Sequence, residues 1–380
     1  AERQFSWAEE PNCDAERPRH CSGVLNALDY RTDTDVVDTN AQGEWPIQIQ
    51  VWLPSEGEKP YPVVIYGHGI NGQAMEGATL AQMMDPLGVA VIATDALHHG
   101  QHPTANPDSN LPALNFLGVD LSNFVFDTKN LRGSFDQSTA DRLQMITLLE
   151  QHPDIDGDGV IDLDMDNLMY HGISLGGLMG PQLIVNQGSI GAGIFAVGGG
   201  DLPIFVSDTA VMQQFLNPLI EALIGSQDDY ERIVPIIQSA VDAADPAVWG
   251  SHLIHNRFDE NQAPDILLPV SLKDDDVPPA AGRALARGIG LPHLMPVAES
   301  VPLLTVEEGP LRQNIAGETT GAYFQFDRIS SDDGIVESSH ANLPWSPEAK
   351  WMIQHFYETY LNGETEIIEP YSVLETPELE

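Results

Sequence analysis

Asn167–Gly177 reads NLMYHGISLGG, an apolar run that ends on a serine with a glycine two positions to either side. A strand that turns at once into a helix needs this pattern. The residue at the corner takes a strained backbone and projects its side chain, and its flanks must lack a Cβ. Gly172-Ile173-Ser174-Leu175-Gly176 therefore predicts a strand–turn–helix junction with the Ser174 hydroxyl at its tip. So short a pattern also arises by chance, and its meaning depends on what surrounds it.

Working outward, apolar runs with the length and bounding of buried strands occur at residues 47–54, 61–69, 89–96, 167–174, 192–199, 266–272 and 322–327. The first, IQIQVWLP, alternates like an edge strand. Most others are near-continuous Val, Ile and Leu, as strands covered on both faces should be. Helix-like segments at 77–88, 138–152, 175–188, 278–290 and 346–363 separate them. Alternation of this kind predicts an open, doubly wound, mostly parallel α/β sheet, with ligands bound beyond the carboxyl ends of the strands. Ser174 falls at such an end.

Two stretches break the rhythm. Residues 97–137 form a long polar loop carrying Phe116, Phe124 and Phe126. Residues 201–264 fit no strand–helix unit. There Met212, Phe215, Leu216, Leu219, Leu223 and Ile224 recur at helical spacing, with a kink or restart at Pro218, and DDYERIVPIIQSAVDAAD follows. This insertion leaves after the strand that follows the serine helix and returns before the next strand, which predicts a helical cap over the site.

A serine hydroxyl attacks only when a base takes its proton, and that base needs a third group to fix its tautomer. After the strand ILLPV comes SLKDDDVP, residues 271–278, which puts Asp274 at the strand's carboxyl end with Asp275 and Asp276 as rivals. His340, in ESSHANLPW, lies in a loop after the last strand and ahead of the final helix. The order Ser174, Asp274, His340 is the one a strand–turn–helix nucleophile site expects. For the developing oxyanion, one donor is the N–H of Leu175 at the helix start, where the dipole helps. The other comes from YGHGINGQ, residues 66–73, with the N–H of Ile70 preferred over Gly69 or Asn71. His68, His171, Ile173 and Phe116 are the candidate substrate contacts. His68 and the pair His98–His99 read as loop-organising histidines rather than metal ligands, since no carboxylate or Cys sits at ligand spacing.

HPDIDGDGVIDLDMDN, residues 152–167, carries a separate signal. With Gly159 at the sixth position of a calcium loop, Asp154, Asp156 and Asp158 take the first, third and fifth. The Val160 carbonyl is seventh and Asp162 ninth. Met165 stands where a bidentate glutamate is expected, so Asp164 or Asp166 would substitute. A structural calcium is expected here.

The net charge is −41, from 57 acidic and 16 basic residues, which argues against nucleic acid and anionic membranes as partners and suits a protein in salty water. Cys13 and Cys21 lie close together in a polar stretch, and a local disulfide is expected, hence an oxidising compartment. The first residues, AERQF, carry no methionine, consistent with a removed signal peptide. No apolar run approaches the roughly 20 residues of a membrane span. Together these point to an exported protein.

Over about residues 45–362 the chain resembles the α/β-hydrolase superfamily. Within it, the runs NLRGSFDQSTADRLQMITLL, DIDGDGVIDLD and NLMYHGISLGGLMG are similar to bacterial extracellular lipases and esterases of the virulence-factor lipase type. The resemblance implies an α/β-hydrolase core at 45–200 and 265–363, an N-terminal extension at 1–44, the cap at 201–264 and a C-terminal tail at 364–380. It implies a carboxylic ester hydrolase with a Ser174–Asp274–His340 triad, no organic cofactor, and a small-molecule, lipid or polymeric ester as substrate. Gly-Ile-Ser-Leu-Gly departs from the usual Gly-His-Ser-Leu-Gly, with the histidine displaced to His171, which touches acyl preference rather than reaction class. Polyester hydrolysis, lysophospholipid hydrolysis and a non-catalytic binding role on the same fold are the alternatives.

Overall fold

Near-continuous β-branched and aliphatic runs become strands whose both faces are covered. The computed structural model describes residues 3–16, 18–106, 112–120, 123, 125–204, 209, 225–258 and 260–379. Met212, Phe215, Leu216, Pro218, Leu219, Leu223, Ile224 and Phe124 lie outside the described residues. The chain divides into two units. The first is Ala1–His171 with Asn186–Gly191; the second is Gly172–Val185 with Ala192–Glu380.

In the first unit the strands are β1 (Trp7–Cys13), β2 (Arg19–Asp29), β3 (Gly43–Leu53), β4 (Tyr61–Gly67) and β5 (Ala90–Thr94). A small antiparallel pair, β6 (Val119–Asp120) and β7 (Val125–Phe126), stands apart, and β8 (Leu163–Ile173) follows. The sheet order is β1-β2-β3-β5-β4-β8. β1, β2 and β3 run antiparallel in succession, β3 pairs antiparallel with β5, and β5 pairs parallel with β4. One expectation is corrected here. β3 lies between β2 and β5 and is not an edge strand. Its alternating Gln50 is buried against His20, Nε2 to Oε1 at 2.8 Å, so polar alternation marked a satisfied interior side chain. The stretch before residue 44 supplies two strands of this sheet, and β2 matches β3 residue for residue from Arg19↔Leu53 to Asp29↔Gly43. Cys13 and Cys21 face one another across β1 and β2 and form the disulfide, with Cα atoms 4.0 Å apart.

The helix Thr128–Gln151 begins ten residues before the expected start. Its first turn is polar, so periodicity alone does not reveal it. Asp127 caps it, accepting from the N–H groups of Lys129 and Asn130 at 2.9 and 3.2 Å. Its buried Gln137 and Gln144 bond the backbone at the end of β2: Gln144 accepts from Leu28 N–H at 2.7 Å and Gln137 donates to Leu28 O at 2.8 Å.

In the second unit β9 (Ile190–Ala196), β10 (Asp265–Ser271), β11 (His293–Leu294), β12 (Val306–Glu307) and β13 (Gly321–Phe326) are ordered β9-β10-β13-β11-β12, every pairing parallel. A hairpin, β14 (Arg328–Ser331) and β15 (Gly334–Glu337), follows β13 directly. Helices Leu175–Asn186, Pro279–Ile289 and Pro347–Leu361 fall where expected. Within the insertion, Gln227–Val241 is helical, capped by Ser226 accepting from Asp229 N–H. The segment after residue 363 is bound to this unit. Ile367 bridges Leu311, and the Tyr371 hydroxyl donates to Asp327 Oδ1 while bonding the Arg328 carbonyl, both at 3.0 Å.

Candidate active site

Ser174 sits one residue past β8 with φ +55°, in the left-handed region that non-glycine residues rarely occupy. Neighbours hold it there. Its N–H donates to Ala196 O at 2.9 Å, and its carbonyl accepts from Leu178 N–H at 2.9 Å, so the helix starts immediately. A Cβ on Gly172 would lie 2.3 Å from the carbonyl carbon and oxygen of Gly176, and one on Gly177 would lie 3.0 Å from Gly198 Cα. Gly172 thus admits the turn, and Gly177 lets the helix approach the end of β9. Only 4 % of Ser174 is exposed. Leu175 opens the helix Leu175–Asn186, whose first amides have no intrahelical acceptor.

The acid and the base meet in the second unit. Asp274 Oδ2 lies 2.8 Å from His340 Nδ1. Asp274 Oδ1 accepts from the N–H groups of Asp276 and Val277 at 3.0 and 2.6 Å, which fixes the carboxylate's rotation. Because a carboxylate can only accept, His340 carries its proton on Nδ1, leaving Nε2 as the basic nitrogen. Asp274 is buried while Asp275 and Asp276 are exposed, so of the three only Asp274 faces the imidazole. His340 stands in a turn between β15 and the helix Pro347–Leu361, braced by Ser339 N–H donating to Asn342 Oδ1 at 2.7 Å and by Asn342 Nδ2 donating to Glu337 O at 3.1 Å.

In the first unit, the turn carrying Ile70 follows β4. His68 is buried, its Nδ1–H donating to Gly69 O at 2.8 Å and its Nε2 accepting from Ala96 N–H at 3.0 Å. Burial, with His99 beside it, pushes its pKa down to about 3. Both nitrogens are spent on backbone, as in a loop-organising residue. Asn71 is at φ +64°, and Gly72 N–H closes the turn onto Gly69 O at 2.9 Å. His99 likewise donates from Nδ1 to Leu97 O at 2.7 Å, and His98 Nδ1 lies 3.2 Å from Thr104 O. His171 is buried, its pKa pushed down to about 3 by burial. Phe116 is buried against Phe135 and His99, and Ile173 is buried in its unit. His68, His171 and Phe116 are at most 1 % exposed and Ile173 is 8 % exposed. Asp95 was missed by sequence reasoning. Its two carboxylate oxygens take Ala74 N–H at 2.6 Å and Gln101 N–H at 2.8 Å, bracing both loops that flank it.

The aspartate loop is built as turns at Gly157 (φ +70°) and Gly159 (φ +86°). Asp154, Asp156 and Asp162 bring carboxylate oxygens within 4.8 Å of one another. Asp154 accepts from the N–H groups of Gly157 and Gly159, and Asp158 from Val160 N–H. Asp164 turns instead to Asp166 N–H and Asn167. Lys59 enters the same cluster, its Nζ 2.7 Å from Asp162 Oδ1, 3.0 Å from Asp158 and 3.3 Å from Asp156, while Arg19 lies 2.7 Å from Asp156. Burial works against the Lys59 ammonium, but the three carboxylates outweigh it and hold its pKa above the usual lysine range.

No family model matches the chain, and no curated protein sequence matches it. Solved structures do. It is similar to an acetyl xylan esterase from Paenibacillus sp. R4, TM-score 0.54 at 14% identity over 92% of this chain and 88% of that one. It is also similar to acetyl xylan esterase 1 from Thermoanaerobacterium sp. JW/SL YS485, TM-score 0.51 at 12% identity over 91% and 85%. At such identity the likeness speaks to architecture, and with a serine at a positive-φ corner after β8 and parallel strands flanked by helices, this chain has the α/β-hydrolase fold.

Proposed function

We propose that the protein is a serine hydrolase of carboxylic esters. The observation that supports this most is the pairing of Asp274 Oδ2 with His340 Nδ1 at 2.8 Å, in the same unit as the positive-φ Ser174. His340 Nε2 takes the Ser174 proton as the oxygen attacks the ester carbonyl. Leu175 N–H, at the start of the helix after Ser174, receives the oxyanion. The alcohol leaves with the proton returned by His340, and His340 then activates water to release the acid from Ser174. A fluorophosphonate probe should label the native protein and fail on Ser174→Ala. Absence of labelling in the native protein would overturn the reading in favour of a non-catalytic binding protein. Rates on nitrophenyl esters from acetyl to palmitoyl separate a short-chain esterase from a lipase, and polyester film and lysophospholipid assays cover the other substrates.

Residues 201–264 act as a cap over the site. The protein is exported and works in salty surroundings, supported by the disulfide and the charge of −41. The aspartate loop fits a hard, oxygen-seeking cation through Asp154, Asp156 and Asp162, with Asp158 and the Val160 carbonyl completing the set once Lys59 withdraws. A calcium ion there would be structural, fixing the connection into β8.

A further inference from the structure

Two buried serines outside the catalytic set join the acid's turn to the base's turn. Ser271, the last residue of β10, and Ser338, two residues before His340, are both fully buried, with their Oγ atoms 2.9 Å apart. The direction of every proton in this link can be assigned. The Phe326 carbonyl, at the end of β13, can only accept, so Ser338 Oγ–H donates to it. Ser338 must then accept from Ser271 Oγ–H. Ser271 in turn accepts from Lys273 N–H at 3.1 Å. The chain runs Lys273 N–H to Ser271 to Ser338 to Phe326 O, and it starts on the residue next to Asp274. The same carbonyl takes Leu272 N–H at 2.9 Å, and Ser338 N–H is held by Asp327 O at 3.1 Å. Each hydroxyl donates once and accepts once.

We propose that Ser271 and Ser338 are positioning residues that fix the span between Asp274 and His340, and so hold the Nδ1–H tautomer and aim Nε2. The inference rests on the ester-hydrolase reading for its consequence, though not for its geometry. Buried hydrogen bonds with one arrangement of protons admit one separation of the loops. Besides this link, the contacts described between the two turns are the Asp274–His340 bond, the Phe326 carbonyl and one exposed ion pair, Lys273 Nζ to Glu337 Oε1 at 3.8 Å, which solvent screens.

The test uses the full chain with Ser338→Ala, Ser271→Ala and the double variant. Deleting one hydroxyl leaves the other's proton or lone pair without its partner in a buried place, and an ångström of misalignment costs catalysis up to about a hundredfold. Each single variant should lower kcat by about tenfold to a hundredfold with KM within about twofold. The double variant should be no worse than the poorer single one, since both belong to one chain. Ser338→Thr, which keeps a hydroxyl, should recover part of the rate. The His340 Nδ1 proton, visible in NMR as a downfield signal lost in His340→Ala, should broaden or move upfield in both single variants. Unchanged kcat and an unchanged signal in folded single variants would overturn the proposal, as would losses that follow thermal stability alone. If the native protein is not labelled by the fluorophosphonate, the hydrolase reading fails separately. The NMR signal still decides the link.

Discussion

At the scale of single residues, the corner at Ser174 concentrates the constraint. A Cβ at Gly172 would sit 2.3 Å from backbone atoms of Gly176, and neither end of a flexible side chain can give way there. Gly172→Ala should therefore lower probe labelling at least about a hundredfold, or abolish soluble expression, while Gly157→Ala, with open space around it but φ +70°, should cost no more than about 1–2 kcal/mol of stability in urea unfolding. His340→Ala should leave the circular dichroism spectrum intact and less than a few per cent of activity. His293 tells a different story. It is buried with neither ring nitrogen hydrogen-bonded to a described residue, and burial with Arg283 nearby pushes its pKa down to about 4. His293→Leu should raise the melting temperature, more at pH 5 than at pH 8, by about 2–5 °C. Much of this was readable in advance and some was not. Ser174 carries its glycines in sequence, and His340 has a unique place between strand and helix. Choosing Asp274 from three neighbouring aspartates needed the turn's geometry, and Ser271 and Ser338 look like any serines until burial pairs them.

At the scale of elements, apolar runs identified strands well because coverage on both faces demands them. They failed where buried polar side chains are satisfied by backbone, as with Gln137 in the early part of the helix Thr128–Gln151, or by another side chain, as with Gln50 on His20 in β3. The hairpin β14–β15 was missed for a related reason. Its anchor is not apolar but the buried carboxylate of Glu348 on the following helix, which takes the N–H and hydroxyl of Ser330 and the hydroxyl of Thr376. Removing that acceptor strands three donors, so Glu348→Ala should cost about 2–4 kcal/mol in chemical unfolding. The aspartate loop belongs to this scale as well. If the proposed calcium binds there it has to displace Lys59, and EDTA should then lower the melting temperature by several degrees in calcium-loaded protein. Lys59→Met should bind calcium more tightly in calorimetry, because the rival ammonium is gone. A change below about one degree on chelation would dismiss the ion.

At the scale of the whole molecule, charge and titration set the conditions under which the chain stays folded. With a charge of −41, self-repulsion opposes folding until counterions screen it, and the Debye length shrinks from about 10 Å at 0.1 M salt to about 3 Å at 1 M. Stability in urea should rise from 0.1 to 1 M NaCl; a flat response would discount the saline habitat. Acid acts in the opposite sense through buried imidazoles. His68 and His171 are held near 3, and His98, His99 and His293 near 4, all by burial first. Their folded values lie below the ordinary value of about 6.5, so the unfolded chain takes up protons first. Stability from these groups is complete above pH 6.5 and is lost as pH falls toward 3–4. Measured at 1 M NaCl, where carboxylate repulsion is screened, the melting temperature should fall steadily through that window. The disulfide acts at the margin of the first unit. β1 is the outermost strand, mostly exposed and irregular in its pairing with β2, and the Cys13–Cys21 bond pins its end to its neighbour. Behind it, β2 has eleven residues of backbone donors and acceptors in regular register. An unpaired strand of that length is a template on which another chain can add. The bond thus guards a border: reduction should leave ester turnover near its starting value at first, while light scattering reports oligomers growing edge to edge.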